Sequence, residues 1–340
     1  MKKLSATFLG LTLSAGMAFA EGELFLYNWT DYTAPELIEK FESETGVSVT
    51  LDTYDSNETL LAKLQSGATG YDIVVPSHNF VEIMVGEGLL QPINASELSG
   101  YGNLSTDFTS PSWDENNVYT VPWQWGTTSF TVNTDVFGGD INTYSVLFQP
   151  PAELQGKIGM FKSPDEVISM ALISLGLPLC NENPEDMQKV LEVLEAQKPN
   201  VKTYSSDGIL ERLASGDAAA HQNWNGYSIR ARNENAAMKY AFPKEGVIAW
   251  ADNIAVPVGA PNYDNAIKFI EFLMDPENIA LQSNFAGYSN GITGSDAYMS
   301  EALKTAHELS PPEGTTLVFS QTCSPKAVDL QNRVWTALLQ

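Results

Sequence analysis

Five aromatic residues and three acids carry the chemistry this chain can offer. Trp29, Tyr32, Trp224, Trp250 and Tyr288 recur with Asp31, Glu166 and Asp252 in the short motifs NWTDY, SPDEV, NWNGY, AWADN and AGYSN. A ring face attracts a cation through its quadrupole, and partial loss of water strengthens that attraction. A carboxylate gives a protonated amine a short, charge-assisted hydrogen bond. Methylenes between two amines would stack on indole and phenol surfaces, so a box of rings with an acid at each end suits a linear diamine or a longer polyamine. Each residue also has an ordinary structural reading. Tryptophans often sit in cores, and acids at helix starts complement the helix dipole, Glu166 among them. Asp252 is harder to explain that way, because it lies between two apolar runs where a lone carboxylate is costly.

The elements that must position these residues are legible from pattern. Residues 23–28 read as a strand. Thr33-Ala34-Pro35-Glu36 then opens a helix, with Thr33 as cap and Glu36 completing a capping box, and Gly46 ends it. VSVTLDTY alternates and is β-branched, as a strand should be. Asp55-Ser56-Asn57-Glu58 repeats the capping logic for a helix reaching about Gly67. YDIVVP reads as a buried strand, with a helix starting near Phe80. Strand and helix alternating at this spacing predict an α/β fold built on a mainly parallel sheet. Ligands of such sheets bind beyond the carboxyl ends of the strands, which is where residues 28–32 and 77–79 fall. Further along, SFTVN, GKIGMF, AAAHQNW, KYAFP, GVIAW and NIAVPV read as strands, the last two separated by Trp250-Ala251-Asp252. Ser163-Pro164-Asp165-Glu166 and Pro184 open helices, Asp207 is expected to cap the next, and helices are expected at 263–274, 276–285 and 325–339.

Bulk properties narrow the classes of function. Lys2 and Lys3, an apolar stretch over 4–15 and the small-residue sequence Ala18-Phe19-Ala20 form an export signal, with cleavage expected after Ala20. The segment is too short to span a bilayer, and no later stretch is apolar enough to do so. The protein is therefore expected in a periplasm. The remaining 320 residues exceed what one core usually serves, so two domains are expected. The chain has 18 basic and 42 acidic residues; without the two signal lysines it has 16 against 42, a net charge of −26. Such a surface repels nucleic acid and anionic lipid and suits a cationic partner, although it would serve equally as a solubilising coat. The two cysteines, Cys180 and Cys323, read as a disulfide in an oxidising compartment, the alternative being two buried thiols. With His78, His221 and His307 scattered, no zinc-type ligand spacing exists. Ser77 lies at a helix N-terminus, which by itself favours anions. The four arginines (Arg212, Arg230, Arg232, Arg333) all lie outside the candidate motifs, which weighs against sulfate or phosphate.

Over nearly its whole length beyond the export signal the chain resembles the periplasmic spermidine/putrescine-binding proteins of bacterial ABC transporters. The resemblance is carried by LYNWTDY, by FESETGVSVTLDTYDSNETLLAKLQSGATGYDIVVPS, by VPWQWGTTSFTVN, WNGY and FPKEGVIAWADNIAVP, and by CSPKAVDLQNRVWTALLQ. It implies the two-lobed type II periplasmic-binding fold, each lobe a mainly parallel sheet flanked by helices. The lobes would comprise 21–131 with 253–292 and 132–252 with 293–340, and the strands would cross at a hinge near Val132-Asn133 and Ile254-Ala255. It implies no enzymatic activity, no cofactor and no metal, a monomer, and the permease subunits of an ABC importer as partners. Its site falls on Trp29, Thr30, Tyr32, Ser77, Glu166, Trp224, Trp250, Asp252 and Tyr288. Asp31 is a neighbour whose side chain could point away, and Asn79 stands where relatives carry an aromatic. Ser163 and Tyr227 replace acids of particular members, so putrescine, spermidine and other small cationic metabolites stay open as ligands. The rivals are a secreted glycosidase, whose active site also sets paired carboxylates among tryptophans, and the same fold loaded with a sugar or with ferric iron. Iron is disfavoured by the lack of clustered Tyr and His.

Overall fold

The computed structural model describes residues 22–67 and 70–340; the expected export signal lies outside them. Its strands are β1 (Gly22–Trp29), β2 (Val47–Tyr54), β3 (Ile73–Val74), β4 (Leu90–Gln91), β5 (Thr120–Asn133), β6 (Ile158–Met160), β7 (Val201–Tyr204), β8 (Ala220–Trp224), β9 (Met238–Tyr240), β10 (Val247–Pro257) and β11 (Leu317–Phe319). They line up as β2-β1-β3-β10-β5-β8-β6-β7, with β4 and β11 against β10 and β9 against β5. One end, β2-β1-β3, is parallel, and so is the other, β8-β6-β7. The two ends are joined by β5 and β10, which run antiparallel to each other and to β8 and β3. The parallel pattern legible in the sequence therefore belongs to the two ends and not to the junction. All eleven residues of β10 are buried, as a strand covered on both faces must be.

The helices start where side chains can cap them. The Ser56 hydroxyl accepts from the backbone N–H of Thr59, and Ser163 accepts from that of Glu166. Gly46 ends the first helix, Pro35–Thr45, in the left-handed conformation. Two capping expectations are corrected. The Thr33 hydroxyl is taken by the Asn28 amide, 2.9 Å away, and the cap position falls to Ala34, whose N–H donates to Gln282. Asp207 does not cap either, because Gly208 holds the cap position of helix Ile209–Ser215 with φ +65°.

Two strand readings are also corrected. GVIAW and NIAVPV are one strand, β10, and SFTVN is only the end of β5, which has 14 residues. The register of β5 against β10 slips by one at Asp252/Asn253, leaving Trp123 as the extra residue beside Pro122. A bulge is where a strand tolerates proline, so Pro122 interrupts the ladder without ending the strand. Trp123 itself is fully buried, stacked near Phe269 in the larger core. Cys180 and Cys323 form a disulfide.

Candidate functional site

A cleft enclosing about 690 Å³, open mouth included, lies where the strand ends of the two halves face each other. From one half, β1 delivers Trp29 at its carboxyl end. The Trp29 indole N–H and the Tyr54 hydroxyl both donate to the carbonyl of Val75, at 2.9 and 2.6 Å. From the other half, β8 ends at Trp224, whose indole N–H donates to Oε1 of Glu166 at 2.8 Å. The two indoles meet edge to face across the cleft, 6.5 Å apart. β10 contributes Ile248, Trp250 and Asp252 to one wall, because alternate residues of a strand share a face. Gly126 on β5 lets the Trp250 ring lie flat against the strand, since a Cβ there would sit 2.8 Å from Trp250 Cζ2. The Trp250 indole N–H donates to the Thr128 hydroxyl, and that hydroxyl donates to Glu166, each at 3.0 Å. Tyr288 packs edge-on against both Trp250 and Tyr32, at 5.3 and 5.4 Å.

The acids are held by neutral donors. Asp252, 4 % exposed, accepts from the Ser77 hydroxyl at 2.6 Å. Ser77 in turn accepts from the Asn57 amide at 3.0 Å, so its hydroxyl serves Asp252 and leaves its own helix, His78–Gly86, without a side-chain cap. The Tyr32 hydroxyl lies beside Asp252 yet makes no hydrogen bond of ordinary geometry. Burial pushes the Asp252 carboxyl up to about 7, against the pull of Ser77 and Tyr32. Burial likewise raises Glu166 to about 8, opposed by the bonds from Trp224 and Thr128, and Asp165 to about 6, opposed by Asn79 and Ser169. Glu58, just behind the cleft wall, is raised to about 7 by burial and then by the charge of Asp165. Glu58, Asp165 and Glu166 keep part of their surface open, whereas Asp252 is buried. Among the described residues no lysine, arginine or histidine forms an ion pair with any of these four. No group of three or more His, Cys, Asp or Glu is placed to hold a metal among those residues.

The cleft brings together Trp29, Thr30, Tyr32, Ser77, Asn79, Glu166, Trp224, Trp250, Asp252 and Tyr288. Asp31 does not line it. Its φ is +54°, its side chain is exposed, and its carbonyl accepts from Arg230 at 3.1 Å. The sequence reading missed Tyr54, Asp55, Asn57, Asp165, Ser206, Asp207, Tyr227, Ile248 and Ser320 as wall residues. Tyr54 closes β2 at its carboxyl end, and the rule that selected Trp29 applies to it equally. Tyr227 spans the cleft mouth, donating from its hydroxyl to the Thr30 carbonyl at 3.2 Å.

Two sheet ends joined by a pair of long strands, with a ring-lined acidic cleft between them, define a type II periplasmic binding protein. The model for the bacterial extracellular solute-binding proteins matches residues 36–311, and the chain belongs to that family. The spermidine/putrescine-binding periplasmic protein of Escherichia coli (strain K12) is 36 % identical over 334 residues, covering 98 % of this chain and 91 % of that one. The putrescine-binding periplasmic protein SpuD of Pseudomonas aeruginosa (strain UCBPP-PA14) is 34 % identical, covering 92 % and 91 %. Among solved structures, the substrate-binding protein PotD of a Streptococcus pneumoniae spermidine/putrescine ABC transporter superposes with a TM-score of 0.77 at 28 % identity, covering 94 % and 98 %. These relatives are substrate-binding transport proteins. No helix among the described residues is long and apolar enough to cross a membrane.

Proposed function

We propose that the protein captures a polyamine, putrescine or spermidine, between its two lobes and delivers it to the permease of an ABC importer. The observation that carries this reading is the set of buried carboxylates, Asp252 and Glu166 foremost, held by neutral donors and framed by Trp29, Trp224, Trp250 and Tyr288. An alkylammonium supplies the charge such acids want and an aliphatic body for the rings. Relatives named for the same ligands support it. In this reading the lobes are 21–131 with 253–292 and 132–252 with 293–340, bending about β5 and β10. Closure is a population shift toward the state in which the ligand touches both lobes. Trp29, Thr30, Tyr32 and Ser77 act from one side and Glu166 and Trp224 from the other. The protein works as a monomer without catalysis, exported to the periplasm after cleavage behind Ala20.

A thermal-shift screen of the mature protein tests this, because a ligand of the native state alone raises its melting temperature. Putrescine or spermidine should raise it, whereas sugars, neutral amino acids, phosphate and ferric iron should not. A shift confined to a sugar or an anion would overturn the reading.

A further inference from the structure

We infer that the cleft continues past Asn79 and Ser320 into a second groove, and that this groove binds the far ammonium of a linear polyamine too long for the cleft alone. The inference rests on the polyamine reading and extends it to ligand length. Asn79 and Ser320 line both cavities, so the two spaces adjoin. At the junction the Asn79 side chain lies beside Asp165, an acid of the cleft wall.

Beyond the junction the groove presents Trp113, Phe319 and the carboxylate of Glu82. The rings of Trp113 and Phe319 lie 5.0 and 6.1 Å from that of His78. Phe319 is 49 % exposed, so its ring face is open to a ligand. His78 brings no opposing charge. Its Nδ1 accepts from the N–H of Ala251 at 3.2 Å, its Nε2–H donates to the Ser320 carbonyl at 2.9 Å, and burial lowers its pKa. Glu82 accepts from the Thr322 hydroxyl and has no ion-pair partner among the described residues. Two rings and an unneutralised carboxylate repeat, in the open, the chemistry of the cleft.

The groove wall is fixed in place. β11 pairs with the start of β10, Ser320 N–H donates to the Ala249 carbonyl at 3.1 Å, and the Thr322 hydroxyl oxygen lies 2.9 Å from the Asn79 carbonyl. Cys323 then ties the segment to Cys180.

Calorimetric titration of the mature protein with putrescine, a diamine, and spermine, a linear tetraamine, tests the inference on Glu82→Gln, Phe319→Ala and a control, Glu39→Gln, an exposed acid elsewhere on the surface. Glu82→Gln and Phe319→Ala should each leave the putrescine Kd unchanged and weaken spermine at least fivefold, with Glu39→Gln altering neither. Spermine affinity that is unaltered in both groove variants, or lowered as much by Glu39→Gln, overturns the inference and leaves the polyamine reading standing. Failure of the wild type to bind either amine overturns both.

Discussion

Replacing Asp252 by asparagine separates what this acid costs the ligand-free protein from what it contributes to binding. The amide keeps the size of the carboxylate and can still accept from Ser77, so the change removes charge and little else. A hydrogen bond to a charged group contributes about 1.5–3 kcal/mol against roughly 0.5–1.5 for a neutral one. The loss is therefore about 1–1.5 kcal/mol, or roughly five- to twelvefold in polyamine Kd at pH 8. The opposite sign holds without ligand. The folded-state pKa is raised from 3.8 to about 7, so between those values the folded chain holds a proton that the unfolded chain has released. Stability then falls as pH rises through that window and is lowest above it, by roughly 4 kcal/mol for the full rise. Ligand-free Asp252→Asn should thus melt above the wild type at pH 8, with the gap closing as pH falls toward 4. Calorimetric titration gives the binding half and thermal melts across pH the stability half. Unchanged polyamine affinity, or an asparagine variant that is no more stable than wild type at pH 8, would refute the reasoning.

Two further outcomes follow from the same geometry. Arg230 donates to the Asp31 carbonyl and stacks 4.7 Å over Tyr227, the residue that reaches Thr30 across the cleft mouth. Arg230→Met should accelerate polyamine release severalfold in stopped-flow tryptophan fluorescence while leaving the association rate nearly unchanged; a slower association with unaltered release would contradict a latch that acts only once the lobes have met. The Cys180–Cys323 bond closes a loop across 143 positions, for which the chain-entropy model gives about 5 kcal/mol and measured bridges commonly about 2–4. Cys180→Ser with Cys323→Ser should lower the denaturant midpoint accordingly, and an unchanged midpoint would remove the bridge from the stability of the fold.

Much of the fold could be read because the first half of the chain states its elements locally. Ser163 caps where its sequence says it should, Ser56 caps one residue after the expected position, and VSVTLDTY is β2 to the residue. The misreadings came where a distant partner decided the outcome. Thr33 yielded the cap position to Ala34, whose N–H donates to Gln282, 248 positions away. β10 was divided at Trp250-Ala251-Asp252 because a carboxylate interrupts an apolar run; the strand tolerates it because Ser77, following β3, pairs beside Asp252 and donates to it. The first part of β5 was hidden by Pro122 and Gly126, whose reasons are a bulge and the close approach of an indole. At the candidate site, the ring and acid motifs at strand ends pointed to the cleft. Asp165 was visible beside Glu166 in SPDE and was read as a helix-start acid. Tyr227 was visible in NWNGY, at a position where particular relatives carry an acid, but was missed as a wall residue; Ser320, far along the chain, belongs to none of the motifs.

The most direct test of the central claim is a crystal structure of the mature protein grown with spermidine. The account predicts the amine chain lying between Trp224 and Trp250, with one ammonium hydrogen-bonded to Asp252 and another to Glu166. An anion or a sugar in the cleft, or spermidine bound elsewhere with these two carboxylates turned away from it, would contradict the claim.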